Sequence, residues 1–519
     1  MSLEKIIQYN KKLLLSEQGD KVEFNGKNAS HKVAFGFPAE YKIAMETAGF
    51  QQIYFSINKD PDYECERFFY PDSEMLKEYE KEKAPILTLE SNKAINQKEM
   101  LFLSFNFELN YLRFLDMLEK SNIPAFSKDR SDRHPLLVGG GFSVTYNPNV
   151  LSEYLDVIVV GEAESTLPKI LEEWDRKKDR QQFLKTISKH PGIYVPSLNK
   201  DGIVYKAKGF DIAKTDENYV MSSETFHKSI LPLELVRGCT DNCKFCVLCK
   251  VFGKVSYQPL DKIKRIFDSK SKYLSRVRLI SPSDTQHPQM PEVYKEVLDR
   301  GLELVVGAVR ADSFSRYCKQ FSELKVPNLN LAPETGSEDF RRRIAKNIKD
   351  EDFFYCVDFA AKNKIPKMEL YFMVGFPGEK FEDSIKVADF VKKVRKRLDA
   401  GHQESTIVNV CINSHIRQAQ TPYGLYPQQR IDEYMNIIDK IQQKLEKTPN
   451  IIITPMTPDT LAFETAVNRA DGTEGRRLYD LLKDTKNVCP TQQQIKEYFD
   501  IEKYYKPLAA NPHWSRFKM

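Results

Sequence analysis

The stretch Val236-Arg237-Gly238-Cys239-Thr240-Asp241-Asn242-Cys243-Lys244-Phe245-Cys246 decides how the rest of this chain is read. Three cysteines in C-x3-C-x2-C spacing follow directly on an apolar, strand-like run, Pro232–Val236. Three thiolates on one short loop can hold three irons of a 4Fe–4S cube, because iron prefers soft sulfur and the loop can wrap one corner. The fourth iron is then open to a small ligand. Cys249 keeps a second reading open. With Cys243 and Cys246 it forms another evenly spaced triplet, and four cysteines this close also suit a closed structural zinc knot.

Outward from this loop the chain alternates strand and helix. Downstream, the apolar runs Val277–Ser281, Glu303–Val309, Asn328–Ala332, Met368–Val374 and Thr406–Cys411 are separated by amphipathic stretches long enough for crossover helices. With Pro232–Val236 they make six β/α units, which predicts a partial (β/α)6 barrel over residues 225–430. Residues 431–519 read as a mostly helical extension, with Ile431–Glu446 spacing its Ile, Met and Leu three and four apart. Upstream, Lys32–Phe35, Gln51–Ser56, Met100–Phe105, His134–Gly139 and Val157–Val160 read as buried strands between helices, the first helix over Ala39–Ala48. They predict a Rossmann-like doubly wound sheet over residues 1–185. A polar, irregular linker with a small hairpin is expected over 186–224. The fold class is therefore α/β throughout.

Composition narrows the function classes. A chain of 519 residues exceeds one ordinary core, and 41% hydrophobic against 29% charged residues is a globular profile. Lys and Arg number 78 against 73 Asp and Glu, so the balance of +5 does not indicate nucleic acid. No apolar run reaches membrane-span length, and the start of the chain lacks a signal-peptide layout, so a cytoplasmic protein is expected. Nine cysteines, four of them clustered, suit a metal better than a disulfide scaffold.

The cysteine triplet, with an aromatic residue before its last cysteine and a strand before its first, resembles the radical S-adenosylmethionine (radical SAM) enzymes. The resemblance implies that Cys239, Cys243 and Cys246 bind the cube. Its open iron would then chelate the amino and carboxylate groups of S-adenosylmethionine, and one electron would yield a 5′-deoxyadenosyl radical. It also implies cofactor contacts from Phe245, from Ser283 after the second strand, and from Glu334, whose carboxylate suits the ribose hydroxyls. Gly375 and Gly378 in Met373-Val374-Gly375-Phe376-Pro377-Gly378-Glu379 resemble the glycine-rich stretch on the adenine side. A reductant such as flavodoxin or ferredoxin is the implied partner.

Residues Gly139-Gly140-Gly141-Phe142 and Val160-Gly161-Glu162-Ala163-Glu164 resemble the end of the cobalamin-binding-type domain that precedes many radical SAM enzymes. Gly139, Gly140 and Gly161 are the implied contacts for that cofactor. The turn Gly36-Phe37-Pro38 carries no histidine where many such domains place a cobalt ligand, and Asp132-x-His134 precedes the wrong strand, so His134 reads as a loop residue. The implied reaction is cobalamin-dependent methylation of an unactivated carbon. The alternatives are an RNA-modifying or rearrangement radical SAM enzyme without cobalamin, and a non-catalytic zinc- or metal-binding protein on a decayed enzyme fold. Methylthiotransferases carry three further cysteines in their N-terminal domain, whereas only Cys65 precedes Cys239 here. His415, Arg417 and Tyr423 are expected to touch substrate. Cys65 reads as a surface thiol, Cys318, Cys356 and Cys411 as buried small hydrophobes, and Arg341-Arg342-Arg343 as a solvated or ion-paired face. The basic, aromatic tail His513–Lys518 is expected to dock on the protein.

Overall fold

The computed structural model describes residues 3–24, 29–175, 179–199, 202–282, 286–324, 326–401, 405–510 and 512–519. Its first sheet has six strands in the order Tyr63–Phe69, His31–Phe37, Met100–Ser104, Leu136–Gly140, Val157–Val159 and Ile193–Tyr194. All are parallel except the last. Parallel strands need crossovers, and the crossovers lay helices on both faces. Val33, Phe35, Phe102, Val138 and Val159 pack on one side, with helix Ala48–Lys59; Ala34, Leu101, Leu103, Leu137 and Ile158 pack on the other, with helix Tyr111–Lys120. The chain runs from His31–Phe37 outward to the edge and then returns to Met100–Ser104. That reversal opens a crevice at the carboxyl ends of the central strands.

Two sequence expectations fail in this region. Gln51–Ser56 is not a strand but the middle of helix Ala48–Lys59, and the second strand is Tyr63–Phe69. That strand is full of charge, yet the charges are buried in pairs. Arg67 bridges Glu17 at 2.7 Å and Glu90 at 2.7 Å, and Lys98 meets Glu66 at 2.9 Å. Cys65 lies within it, fully buried rather than on the surface.

The second half forms a three-stranded sheet, Ile230–Glu234, Arg276–Ile280 and Glu303–Val305, and a five-stranded sheet, Ala308–Val309, Leu329–Glu334, Lys367–Val374, Ile407–Ser414 and Ile451–Pro455. Every pairing in both is parallel. Only Val306-Gly307 separates the two sheets along the chain. Each expected strand has a counterpart except Glu303–Val309, which breaks at Val306-Gly307 into one short strand of each sheet, and Ile451–Pro455 adds a further strand from the region read as helical. Alternate residues of the long strands differ in exposure. Met368, Leu370, Phe372 and Val374 are buried, while Glu369, Tyr371 and Met373 are half-open. The outer face is therefore packed under helices such as Asp350–Lys362 and Lys386–Ala400, and the inner face is a polar trough.

The two halves are joined by buried contacts. Tyr146 donates to Asn468 at 3.0 Å and Tyr154 donates to the Gly475 carbonyl at 2.8 Å. The expected hairpin in 186–224 is replaced by short strands with separate partners: Val204–Tyr205 pairs with Phe517–Lys518, and Val220–Ser222 with Glu17–Gly19. The tail docks as expected, with Trp514 and Phe517 buried. Among the described residues, no helix is long and apolar enough to cross a membrane.

Candidate functional site: two cavities at the strand ends

The cysteine loop begins where Val236–Arg237 pairs with Ser256–Tyr257. Gly238 makes the turn at φ +83°, with a backbone atom of Val255 3.2 Å from where a Cβ would stand, so a side chain is disfavoured twice. Cys246 N–H then donates to the Cys243 carbonyl (3.1 Å), turning the loop, and Lys244 N–H donates to the Ile344 carbonyl (3.0 Å), tying the loop to the end of helix Glu338–Arg343.

Cys239, Cys243, Cys246 and Cys249, all half-buried, line one cavity of about 190 Å³. Its other walls are strand ends: Pro282, Ala308, Val309, Arg310, Ala332 and Glu334. Burial pushes the Cys243 thiol up to about 11 and the Cys246 thiol up to about 12, and it raises Cys239 as well. All three thiols therefore hold their protons until something displaces them, as a metal does. Among the described residues, no three Cys, His, Asp or Glu side chains already converge at metal-binding distance.

Phe245 lines this cavity and packs edge-on against Phe376, ring centroids 5.7 Å apart. Glu334 lines it too, from a conspicuous position. The ladder shifts register between Leu331 and Glu334, and Glu334 itself sits at φ +62°, a region that costs a non-glycine residue of order 1–3 kcal/mol. Lys346 holds its carboxylate at 2.6 Å. Behind it Arg341, read from sequence as part of an outer face, is completely buried. It donates to the Pro333 and Thr335 carbonyls and pairs with Asp350 at 2.9 Å, which locks the Glu334 turn.

Sequence reasoning missed Asp241, Arg310 and Lys346. Arg310 pairs with Asp241 in the cysteine loop and with Asp312 at 2.9 Å, and Gln286 donates to Asp241 at 3.1 Å. The signal was available: Arg310 is a charged residue directly after a strand, at the end where such sheets bind ligands. Ser283 lies outside the described residues.

Gly375 and Gly378 do not line the cavity. Gly375, at φ +82°, donates to the buried Glu379 carboxylate at 2.6 Å, and a Cβ there would stand 2.2 Å from Gln429. Burial pushes Glu379 up to about 7. His415 and Arg417 are also buried. The His415 ring stacks on Phe376 at 4.6 Å, and Arg417 donates to the Pro427 and Gly375 carbonyls. These residues brace the loop behind Phe245. Cys356 is buried as expected, whereas Cys318 and Cys411 are only half-buried.

A second cavity, of about 240 Å³, opens at the carboxyl ends of the first sheet. Phe35, Phe102, Val138, Val159, Val251 and Phe252 make it mainly apolar. Gly140 and Gly161 line it. Gly139 does not, because its missing Cβ points at Leu155, 2.4 Å away on the opposite face. Gly161, at φ +112°, leaves no room for a Cβ beside Lys206.

Arg237 forms part of this second cavity and stands two residues before Cys239. Its buried guanidinium pairs with Glu162 (3.0 Å) and Glu164 (2.8 Å) of the first half and with Glu234 (2.7 Å) of the second. One side chain thus ties the wall of the apolar cavity to the root of the cysteine loop.

Residues 49–196 match the family described as radical SAM proteins, N-terminal, and residues 233–391 match the radical SAM superfamily. The chain therefore carries radical SAM N-terminal and core domains. It is 28% identical over 337 residues to an uncharacterized protein of Methanocaldococcus jannaschii, covering 62% of this chain and 69% of that one. Over 202 residues it is 27% identical to tRNA-2-methylthio-N(6)-dimethylallyladenosine synthase of Lachnoclostridium phytofermentans, covering 36% of this chain and 44% of the synthase. Its fold is similar to that of the radical S-adenosylmethionine methyltransferase TsrM from Kitasatospora setae, solved with tryptophan substrate and a SAM analogue bound. That match has a TM-score of 0.51 at 14% identity and covers 76% of this chain and 75% of TsrM.

Proposed function

We propose that this protein is a radical SAM enzyme that methylates an unactivated carbon with the help of cobalamin. One observation carries the reading: Cys239, Cys243 and Cys246 line the same strand-end cavity as Glu334. Three soft thiols on one loop, with no histidine among the lining residues, suit a cluster better than a mixed-ligand site. A 4Fe–4S cluster on these thiols, when bound, supplies the electron that splits S-adenosylmethionine into methionine and a 5′-deoxyadenosyl radical; a flavodoxin or ferredoxin is the proposed electron donor.

The chain's own side chains do the rest. Glu334 accepts hydrogen bonds from the ribose hydroxyls, and its ion pair with Lys346 keeps it aimed. Ala308, Val309, Ile348 and Phe353 wall the cavity with apolar surface and keep water from a reactive centre. Arg310 and Gln286 hold Asp241 and so fix the near side of the loop.

Cobalamin is assigned to the second cavity, where it would supply the methyl group. Gly140, Gly141 and Gly161 leave that wall bare for a broad ring, and no histidine lines it. Likeness to the tRNA methylthio synthase does not redirect the reading, because the only cysteine before Cys239 is the buried Cys65 and a second cluster has no ligands.

The test is anaerobic purification. Iron and sulfide with 5′-deoxyadenosine formation under reductant support the reading, and mass spectrometry of the released cofactors checks cobalamin. A colourless protein with stoichiometric zinc would sink it.

A further inference from the structure

The segment that carries the last of the clustered cysteines is basic on its outside. Cys249 lines the thiol cavity, and Val251 and Phe252 of the same segment wall the apolar one. Lys250 and Lys254 of this segment are exposed. A second segment lies against it. Lys206 donates from Nζ to the Lys250 carbonyl at 2.5 Å, and a Cβ on Gly253 would stand 2.9 Å from the α-carbon of Gly209. That close approach brings the exposed Lys208 to the same surface as Lys254.

Lys206, Lys208, Lys250 and Lys254 therefore meet at one face, and among the described residues none of them is in an ion pair. Other exposed lysines, such as Lys5, Lys59 and Lys295, each face a carboxylate at 2.8 Å or less. The carboxylates behind this face, Glu162, Glu164 and Glu234, are drawn inward onto Arg237. What the face presents to a partner is thus the ammonium groups. Ile203 and Tyr205, 57% and 61% exposed, precede Lys206 in the second segment and add apolar contact area.

We propose that this lysine face docks the protein's electron donor, a small acidic one-electron carrier, over the segment from Cys249 to Lys254. The inference rests on the radical SAM reading, in which one electron must reach a cluster on Cys239, Cys243 and Cys246. A carrier seated on Lys250 stands one residue from Cys249 and so from the wall of the thiol cavity. The transfer oxidises the carrier by one electron and reduces the cluster by one, with no bond made or broken at the face. Such a complex has to form and part at every turnover, which suits a small interface steered by charge.

The test compares two reductants on the anaerobically reconstituted full-length protein: reduced flavodoxin, and reduced methyl viologen, a small cation that needs no docking face. The triple variant Lys208→Glu, Lys250→Glu and Lys254→Glu changes only exposed positions. It should slow flavodoxin-driven 5′-deoxyadenosine formation about tenfold at low salt and leave the viologen-driven rate within about twofold of wild type. Raising the ionic strength from about 0.02 to 0.3 M should slow the wild type with flavodoxin and barely affect the variant. Surface plasmon resonance with flavodoxin reads the face without turnover, and its Kd should rise about tenfold in the variant. A flavodoxin-driven rate and Kd unchanged in the folded variant, or an equal loss with both reductants, would overturn the inference. So would binding of unfractionated tRNA that the variant loses while keeping its flavodoxin-driven rate, which would give the face to nucleic acid. Should neither reductant yield 5′-deoxyadenosine, the radical reading fails, and the flavodoxin binding measurement still decides for or against the face.

Discussion

The two cavities at the strand ends share a topological position and differ in almost everything else. The one under the first sheet is walled by Phe, Val and bare glycine; the one in the second half is walled by thiols, Glu334, Arg310 and Lys346. The strands beneath both are parallel and bury apolar side chains under helices. Chemistry is therefore set by the two or three residues after each strand, where the ladder no longer constrains the side chains. Arg237 belongs to both regions, and it is the natural place to start breaking the comparison.

The largest effect is expected at the thiols. Replacing Cys239, Cys243 or Cys246 singly by alanine should take iron content and 5′-deoxyadenosine formation to background, whereas Cys249→Ala should leave both near wild type. The contrast separates a three-thiol cluster from a four-thiol zinc knot, which would lose its metal with Cys249 as readily as with the others. Metal analysis and chromatography of the reaction products measure it.

Next comes the link between the cavities. Arg237→Met leaves Glu162, Glu164 and Glu234 facing one another without the guanidinium that pairs with all three, and removing one partner of a buried pair costs about 3–5 kcal/mol. Denaturant unfolding should show that loss. If stability is unchanged, Arg237 does not tie the two halves together.

How legible this was in the sequence depended on whether burial followed apolar pattern. The strands of the second half were legible because their buried residues are apolar at alternate positions, as in Lys367–Val374 and Ile407–Ser414. Tyr63–Phe69 was missed because its Glu64, Glu66 and Arg67 are buried as ion pairs, which no hydropathy pattern announces. Helix Ala48–Lys59 was misread because Phe50, Gln51, Gln52, Ile53, Tyr54 and Phe55 are buried consecutively, so no polar face marks its period. Ile451–Pro455 ends in proline inside a helical stretch, and as the last strand of its sheet it tolerates one. At the site, spacing identified the thiols and a motif identified Glu334. The support from Lys346 and Arg341 depends on tertiary contacts that local sequence does not encode.

The glycines sharpen the comparison at a smaller scale. Gly161→Ala meets both an unfavourable φ and the Lys206 side chain at 2.8 Å, and should cost about 1–3 kcal/mol. Gly378→Ala has the same kind of φ, +76°, but open space around it, so about 1–2 kcal/mol is expected. Gly140→Ala meets Val159 only at an ordinary 3.4 Å, so stability should hold while cobalamin retention falls, the mark of a glycine kept for the ligand rather than the fold. Thermal melts and the cobalamin absorbance after gel filtration separate the three.

The smallest effect concerns the loop behind Phe245. Glu379 is buried beneath the Gly375 turn and its carboxyl is pushed from 4.5 up to about 7, so the folded state prefers it protonated. A raised carboxyl contributes stability that is fully present below the unfolded value and lost as pH rises through the folded one, here between about 4.5 and 7. Glu379→Gln keeps an oxygen to accept from the Gly375 and Phe376 N–H groups and removes the titration. Its stability should therefore exceed that of wild type at pH 8, with the gap closing towards pH 4.5 as wild type protonates. Were the gap instead to widen on acidification, the carboxylate would be the form the loop holds, and Gly375 would be organised around a charge.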